Sequence, residues 1–344
     1  MTGMKGTFRV RRAQDGVMAD VREVLGAPVV IAPMGGGPST PELVVAGAAA
    51  GALGFLAAAY RTADEVRAQL AAVRSATDAP FGLNVFVPGR PSDPPPTGYV
   101  EQLRAAGYEV GEPRWDDDGW DAKVELLLDS APAVVSFTFG CPTRELIDAL
   151  QARGTIVAVT VTTPEEAVVA VAQGASCLCV QGSEAGAHRG TWTNAGTPDD
   201  RPLEQLLRDV AAVTDVPALA AGGVGTRDDV RRLLALGAAG VLCGTTFLRC
   251  PESGAKAAYK DALADPRFTE TVVTRAFSGR PARGLRNRFI DEHPDVPAAY
   301  PEINNATRPL RAKGDPDAMS LWAGTGWRHA EARPAAEVVE RLSS

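Results

Sequence analysis

Eight short apolar runs, separated by helix-start and helix-stop signals, constrain this chain more than any other feature. They are Pro28–Ala32, Leu53–Ala57, Phe81–Val87, Val134–Phe139, Ile156–Val161, Ser176–Val180, Pro217–Ala221 and Gly240–Cys243. Runs of this length alternating with helical patterns are the sequence form of parallel strands joined by crossover helices. Thr40-Pro41-Glu42 and Thr163-Pro164-Glu165 each place an N-cap before a proline at the first helical position, and Thr62–Glu65 and Thr226–Asp229 have capping-box spacing. Gly154, Gly174 and Gly237 fall where left-handed C-caps belong. Eight such units of similar size predict an α/β fold, a closed (β/α)8 TIM barrel in place of an open doubly wound sheet.

The 344 residues exceed the roughly 250 of one barrel, and the rhythm breaks where the excess lies. Gly89 to Gly98 is proline-rich and reads as a loop. From Leu248 to Arg328 the pattern turns helical and then turn-rich, before Pro334–Leu342 reads as a last helix. The expected organisation is a barrel of residues 1–248 and 330–344, with an additional C-terminal cap segment, 249–329, on the substrate side of the barrel mouth.

A net charge of −7 argues against a nucleic-acid partner, which would call for a basic face. Met1 to Gly26 has no apolar core of a signal peptide, and the longest apolar stretch, Leu43 to Tyr60, is broken by glycines and splits into a helix half and a strand half. The five cysteines lack the spacing of a disulfide framework, so reduced thiols and a cytoplasmic setting are expected, with Cys177 and Cys179 buried in a strand. No metal-ligand spacing, G-x-S-x-G elbow, Walker loop or G-x-G-x-x-G turn is present.

In a barrel the chemistry sits just after each strand. After the first run, Pro33-Met34-Gly35-Gly36-Gly37 is either a flexible turn or a place where a flat ring approaches the backbone, beside the Met34 carbonyl and thioether. Asn84, apolar on both sides, is either a satisfied core amide or a partner for a heterocycle edge. Gly222-Gly223 and Gly244-Thr245 follow the last two runs, where barrels bind phosphate on backbone N–H groups, and Thr245 adds a hydroxyl. Gln181 ends the sixth run, and the loop Gly182–Gly190 behind it holds Gly186 and His188, one of three histidines. Its end-of-strand position, its glycines and the neighbours Glu184 and Arg189 make His188 the candidate acid or base. His293 and His329 fall in proline- and glycine-rich segments and read as solvated. Arg275, Arg280, Arg283, Arg286 and Arg288 form a local cluster, either a salt-bridged face or an attractor of anions.

Six segments in order carry a resemblance to a known family: Ala32–Gly36, Gln181–His188, Ala221–Gly223, Gly244–Leu248, Ala258–Leu263 and Ser278–Arg283. From about Ala27 to the tail the chain resembles the nitronate monooxygenases, formerly 2-nitropropane dioxygenases, which are FMN-containing flavoproteins built on TIM barrels. The resemblance implies an oxidoreductase that oxidises alkyl nitronates with O2 to carbonyl compounds and nitrite by one-electron flavin chemistry. It implies Met34, Gly35, Asn84 and Gln181 around the flavin ring and ribityl chain. Gly186, Gly222, Gly223, Gly244 and Thr245 fall toward the ribityl and phosphate end, His188 is the catalytic residue, and Tyr259 lines the pocket. Tyr300 is the main aromatic candidate for the substrate pocket from the cap. The family loop usually reads Gly-Gly-His where this chain has Gly186-Ala187-His188, so Ala187 is expected to keep a negative φ. Expected partners are a small nitronate and O2, with no nucleic acid, metal or membrane, and a homodimer is compatible with the pattern. FMN- and NAD(P)H-dependent enoyl-acyl-carrier-protein reductases share this scaffold and are the alternative, as is a flavin-binding barrel without catalysis.

Overall fold

A computed structural model describes residues 20–344; the Met1–Gly26 reading lies outside the described residues up to position 19. The strands are β1 Val29–Ile31, β2 Leu53–Ala57, β3 Gly82–Phe86, β4 Val134–Thr138, β5 Ile156–Val161, β6 Cys177–Gln181, β7 Ala187–His188, β8 Ala218–Ala221, β9 Gly240–Cys243, β10 Thr271–Thr274 and β11 Ala282–Leu285. Eight of them close a parallel barrel in the order β1-β2-β3-β4-β5-β6-β8-β9, with β9 returning to pair with β1. These eight coincide with the eight apolar runs to within a residue or two at either end.

The helices between the strands are α1 Pro41–Ala49, α2 Ala63–Ala76, α3 Thr97–Ala105, α4 Trp120–Ser130, α5 Arg144–Gln151, α6 Pro164–Gln173, α7 Leu203–Val213 and α8 Arg227–Ala235, and all but α3, which packs on the C-terminal elements through Tyr99 and Leu103, surround the barrel. The caps form as the sequence dictates. Thr40 and Thr163 accept from the N–H groups of Leu43 and Glu166, and Thr62–Glu65 and Thr226–Asp229 are both complete capping boxes. Each such cap contributes about 1 kcal/mol to its helix.

Val30, Leu53, Phe55, Val134, Ile156, Cys177, Cys179, Leu219 and Leu242 point into the barrel and fill it, and Val21, from a short 3-10 helix ahead of β1, joins the same cluster. A second shell of Val, Leu and Ala packs the outer strand faces against the helices. The five thiols are free, and burial pushes those of Cys179 and Cys243 up to about 12, so they behave as apolar filling. Among the described residues no helix is long and apolar enough to cross a membrane.

Beyond the barrel come α9 Ala257–Ala262, the hairpin β10–β11, then α10 Arg288–Glu292, α11 Glu302–Ala306 and α12 Arg308–Ala312. Tyr99 and Leu103 of α3 join Phe277, Phe289, Ile303 and Leu310 in one apolar cluster, in which Phe277 and Phe289 stack with ring centroids 4.7 Å apart, and α9 packs in another with Leu285 and Met319. A final helix, α13 Ala335–Ser343, returns to pack on α1 and α8. β7 is the join between the two regions. It pairs antiparallel with β11, setting Ala187 opposite Arg283 and His188 opposite Ala282. The histidine segment therefore hangs from a barrel strand at one end and is hydrogen-bonded to the outer hairpin along its length.

Candidate active site

The C-terminal ends of the barrel strands open into a cavity of about 570 Å³, within the range of cofactor sites. Met34, Gly35, Asn84, Gln181, Gly186, His188, Gly222, Gly223, Gly244, Thr245 and Tyr259 all line it. Tyr300 does not line the cavity directly; its ring packs edge-on against that of His188, centroids 5.3 Å apart.

One end of the cavity is a backbone cradle. Gly222 and Gly223 have φ of 136° and 70°, conformations that glycine adopts freely and other residues adopt only under strain. Among the described residues, the N–H groups of Gly223, Gly244 and Thr245 donate to no backbone carbonyl. Backbone donors left free after the last two strands of a barrel are available to an anion. Met34 lies alongside, its Sδ 3.7 Å from where a Cβ on Gly244 would stand. The segment 322–326 closes over this end: Gly324 N donates to Thr245 Oγ1 at 3.0 Å, and Thr325 N donates to Glu184 O at 3.0 Å. Gly186 is pressed against it, since a Cβ there would come within 2.5 Å of Gly324 N.

Asn84 is a satisfied amide on its nitrogen side and lines the cavity. Its Nδ2 donates to Ser136 O, Ser136 Oγ and Thr138 Oγ1 at 2.9–3.1 Å, so the amide is fixed by β4. None of these bonds uses the amide oxygen of this cavity-lining residue. Gln181 pins the histidine loop at two points: Nε2 donates to His188 O at 3.1 Å, and Oε1 accepts from Gly190 N at 2.7 Å.

The His188 ring has one polar partner among the described residues, Ser278 Oγ, 3.0 Å from Nε2. Ser278 Oγ also stands 3.1 Å from Arg280 O, a group that can only accept. A hydroxyl has one proton, so both bonds exist together only if Ser278 donates to Arg280 O and accepts from Nε2–H. In that tautomer Nδ1 keeps its lone pair. Burial, then the Arg280 and Arg311 guanidiniums, hold the imidazole pKa down to about 3, so the ring is neutral across the physiological range. Phe139, Tyr300 and Trp322 surround it with centroids at 5.3–5.8 Å.

Several sequence expectations are corrected. Ala187 has φ +63°, not the expected negative value, because pairing with Arg283 and the tether from Gln181 fix the loop on either side. His293 is buried instead of solvated: its Nδ1 lies 2.8 Å from Phe289 O, and its ring packs on Phe289. Glu184 and Arg189 do not tune His188. The Glu184 carboxylate caps α7 through Leu203 N, and buried Arg189 donates to the Gly182 and Asp199 carbonyls. The arginine cluster is not one surface either. Arg286 and Arg288 form exposed ion pairs, whereas Arg275, Arg280 and Arg283 turn inward onto backbone carbonyls.

Sequence reasoning missed Ser278, Tyr60, Phe139, Trp322 and Arg311. Ser278 opens the Ser278–Arg283 segment, but no spacing rule ties it to a histidine ninety positions earlier. Tyr60 hydrogen-bonds Tyr300, hydroxyl to hydroxyl at 2.9 Å, and its unusual φ of +64° is secured by its N–H donating to Asp118 Oδ1. Burial pushes the Tyr60 hydroxyl up to about 12, so it stays protonated. Tyr259 supports the opposite wall by donating to Trp322 O.

Residues 20–344 match the family model described as nitronate monooxygenase. A nitronate monooxygenase of Pseudomonas aeruginosa is 40% identical over 335 residues, covering 92% of this chain and 95% of that one. The crystal structure of a nitroalkane oxidase from Streptomyces ansochromogenes superposes with a TM-score of 0.91 at 45% identity, covering 94% and 96% of the two chains. FabK from Thermotoga maritima superposes with a TM-score of 0.72 at 24% identity over 94% of each chain, a likeness of fold alone.

Proposed function

The chain belongs to the nitronate monooxygenase family, and from that premise we propose that it oxidises alkyl nitronates with O2 to carbonyl compounds and nitrite, using FMN. In net terms two nitronates and one O2 give two carbonyl compounds and two nitrites. Each C=N bond is broken and each carbon gains one oxygen atom. On this reading residues 1–248 and 330–344 are the cofactor-binding barrel and 249–329 the substrate-side cap, and the reduced thiols belong to a cytoplasmic enzyme.

The pocket fits the cofactor on three counts: its volume, the unspent N–H groups of Gly223, Gly244 and Thr245 for a phosphate, and the Met34–Gly35 turn for a flat ring. Asn84, Gln181, Gly186 and Gly222 would complete the cofactor's surroundings. Bound there, a flavin supplies the one-electron redox chemistry that no side chain of this site provides.

The remaining work falls to the chain. His188 Nδ1, carrying a lone pair, takes the α-proton of a neutral nitroalkane to make the nitronate in place. A preformed nitronate needs no such step. Tyr259 and Tyr300 support the substrate side, the first through Trp322 and the second against the imidazole. The observation that carries the reading is the placement of His188 in the same cavity as the glycine cradle.

The test mixes purified protein with propyl-2-nitronate and with propionate 3-nitronate, follows O2 uptake and nitrite release, and measures NADH oxidation in parallel. Nitrite release without NADH consumption is expected. A protein that takes up no FMN, or one that consumes NADH with an enoyl thioester and releases no nitrite, overturns the reading.

A further inference from the structure

Arg311 on α12 is a cavity-lining cation without a counter-ion. Its Nε donates to Thr307 Oγ1 at 3.0 Å, and its Nη2 donates to Asn304 O at 2.6 Å and Asn304 Oδ1 at 3.0 Å. All three bonds hold the guanidinium in place and none neutralises it. The groups acting on it are Tyr60, Tyr300 and Arg308; no carboxylate among the described residues pairs with it. Its Nη1 hydrogen-bonds no described residue and is not sealed from the cavity. Burial lowers its pKa to about 10, which leaves it charged at neutral pH.

Two other arginines line the cavity, Arg61 beside the Glu65 carboxylate and Arg308 at an exposed edge, 3.4 Å from Asn305 Oδ1, whereas Arg311 is the one held by three hydrogen bonds. Arg280 stacks on Phe139 at 3.8 Å and donates to the Arg189 and Thr191 carbonyls, and it does not line the cavity. Lys256 donates to Ala312 O at the rim. Glu65, the carboxylate lining the cavity, is spent on the Thr62 capping box. Asp118 faces Lys123 at 2.7 Å and Tyr60 N. A buried, hydrogen-bonded, unneutralised guanidinium is costly unless a ligand brings the opposite charge. His188 cannot be that anion's partner, since it is uncharged.

We infer that Arg311 holds the anionic NO2 group of the substrate through its free Nη1, making this side chain the one that favours a nitronate over the neutral nitroalkane. This rests on the nitronate reading above and divides the labour: Arg311 binds the anion, His188 moves the proton. The three bonds that lock the guanidinium leave both Nη1 protons for the anion at a fixed place, which a flexible lysine ammonium would not provide.

The test is calorimetric titration of the FMN-loaded protein with sodium nitrate, a planar oxyanion that resembles the nitronate head, and with neutral nitroethane. Loading with FMN fills the glycine cradle, so that nitrate reports the substrate end. Arg311→Met is expected to weaken nitrate binding at least 30-fold while nitroethane affinity changes less than 3-fold, and Arg311→Lys, which keeps the charge, to weaken nitrate about 3- to 10-fold. Unchanged nitrate binding in either variant, or equal losses for nitrate and nitroethane, overturns the inference. Should Arg311→Met fail to fold, Arg311→Lys decides alone. Wild-type protein that binds nitrate through Arg311 yet releases no nitrite from nitronates refutes the functional reading and not this one; nitrite release with an indifferent Arg311 does the reverse.

Discussion

Ser278 Oγ lies 3.0 Å from His188 Nε2 and 3.1 Å from Arg280 O, and this pair of distances decides which imidazole nitrogen is free. Ser278→Ala removes the acceptor that favours Nε2–H. Proton abstraction from a nitroalkane is expected to slow about 3- to 10-fold, the equivalent of one ordinary hydrogen bond, in kcat with KM little changed. Ser278→Thr keeps the hydroxyl and is expected to restore most of the rate. Steady-state kinetics on nitroethane check this; a loss confined to KM contradicts it.

The depressed pKa of His188 has a consequence for acid stability. Folded, the ring stays neutral down to about pH 3; unfolded, it takes a proton near 6.5. Between those values the unfolded chain binds more protons, so this residue's contribution to stability is lost as pH falls through the window, by up to about 1.4 kcal/mol per pH unit. His188→Asn is therefore expected to flatten the acid side of a Tm-against-pH profile. An unchanged slope contradicts the neutral ring.

Ala187 carries a left-handed backbone without the side chain that tolerates it, at a cost of about 1–2 kcal/mol. Ala187→Gly relieves the strain and loses some of the gain to unfolded-state entropy, so a net stabilisation of about 0.5–1 kcal/mol is expected. Thermal unfolding of the FMN-loaded protein measures it. A lowered Tm contradicts the assigned conformation.

The buried Lys123 and the Asp118 carboxylate form an ion pair at 2.7 Å, and burial keeps the Asp118 pKa above its ordinary value despite the lysine. Asp118→Asn leaves the buried cation alone and loosens the hold on Tyr60. A destabilisation of about 3–5 kcal/mol is expected. Asp118→Asn combined with Lys123→Met is expected to recover much of it, as denaturant titration would show.

The barrel was legible because its signals are local. Eight apolar runs, threonine N-caps and glycine C-caps need no knowledge of distant residues, and the glycine pairs after the last two strands reach the cavity by their position in the repeat alone. Ser278, Arg311 and Asp118 were not legible, since each gains its role from a contact made across the fold. Ala187 misled for the same reason: a residue's own preference fixes its φ only where pairing does not, and here β11 and Gln181 decide. His293 sits in a segment of turn-forming residues, yet Phe289, Tyr99 and Tyr108 enclose it.

The most direct test of His188 as a neutral base is the partition of His188→Asn between two substrates. Asparagine keeps a polar group of similar size and cannot take a proton. The expected result is a fall in kcat/KM of at least 10³-fold on neutral nitroethane with less than a 10-fold fall on preformed ethyl nitronate, at unchanged FMN content. Equal losses on both substrates would contradict it.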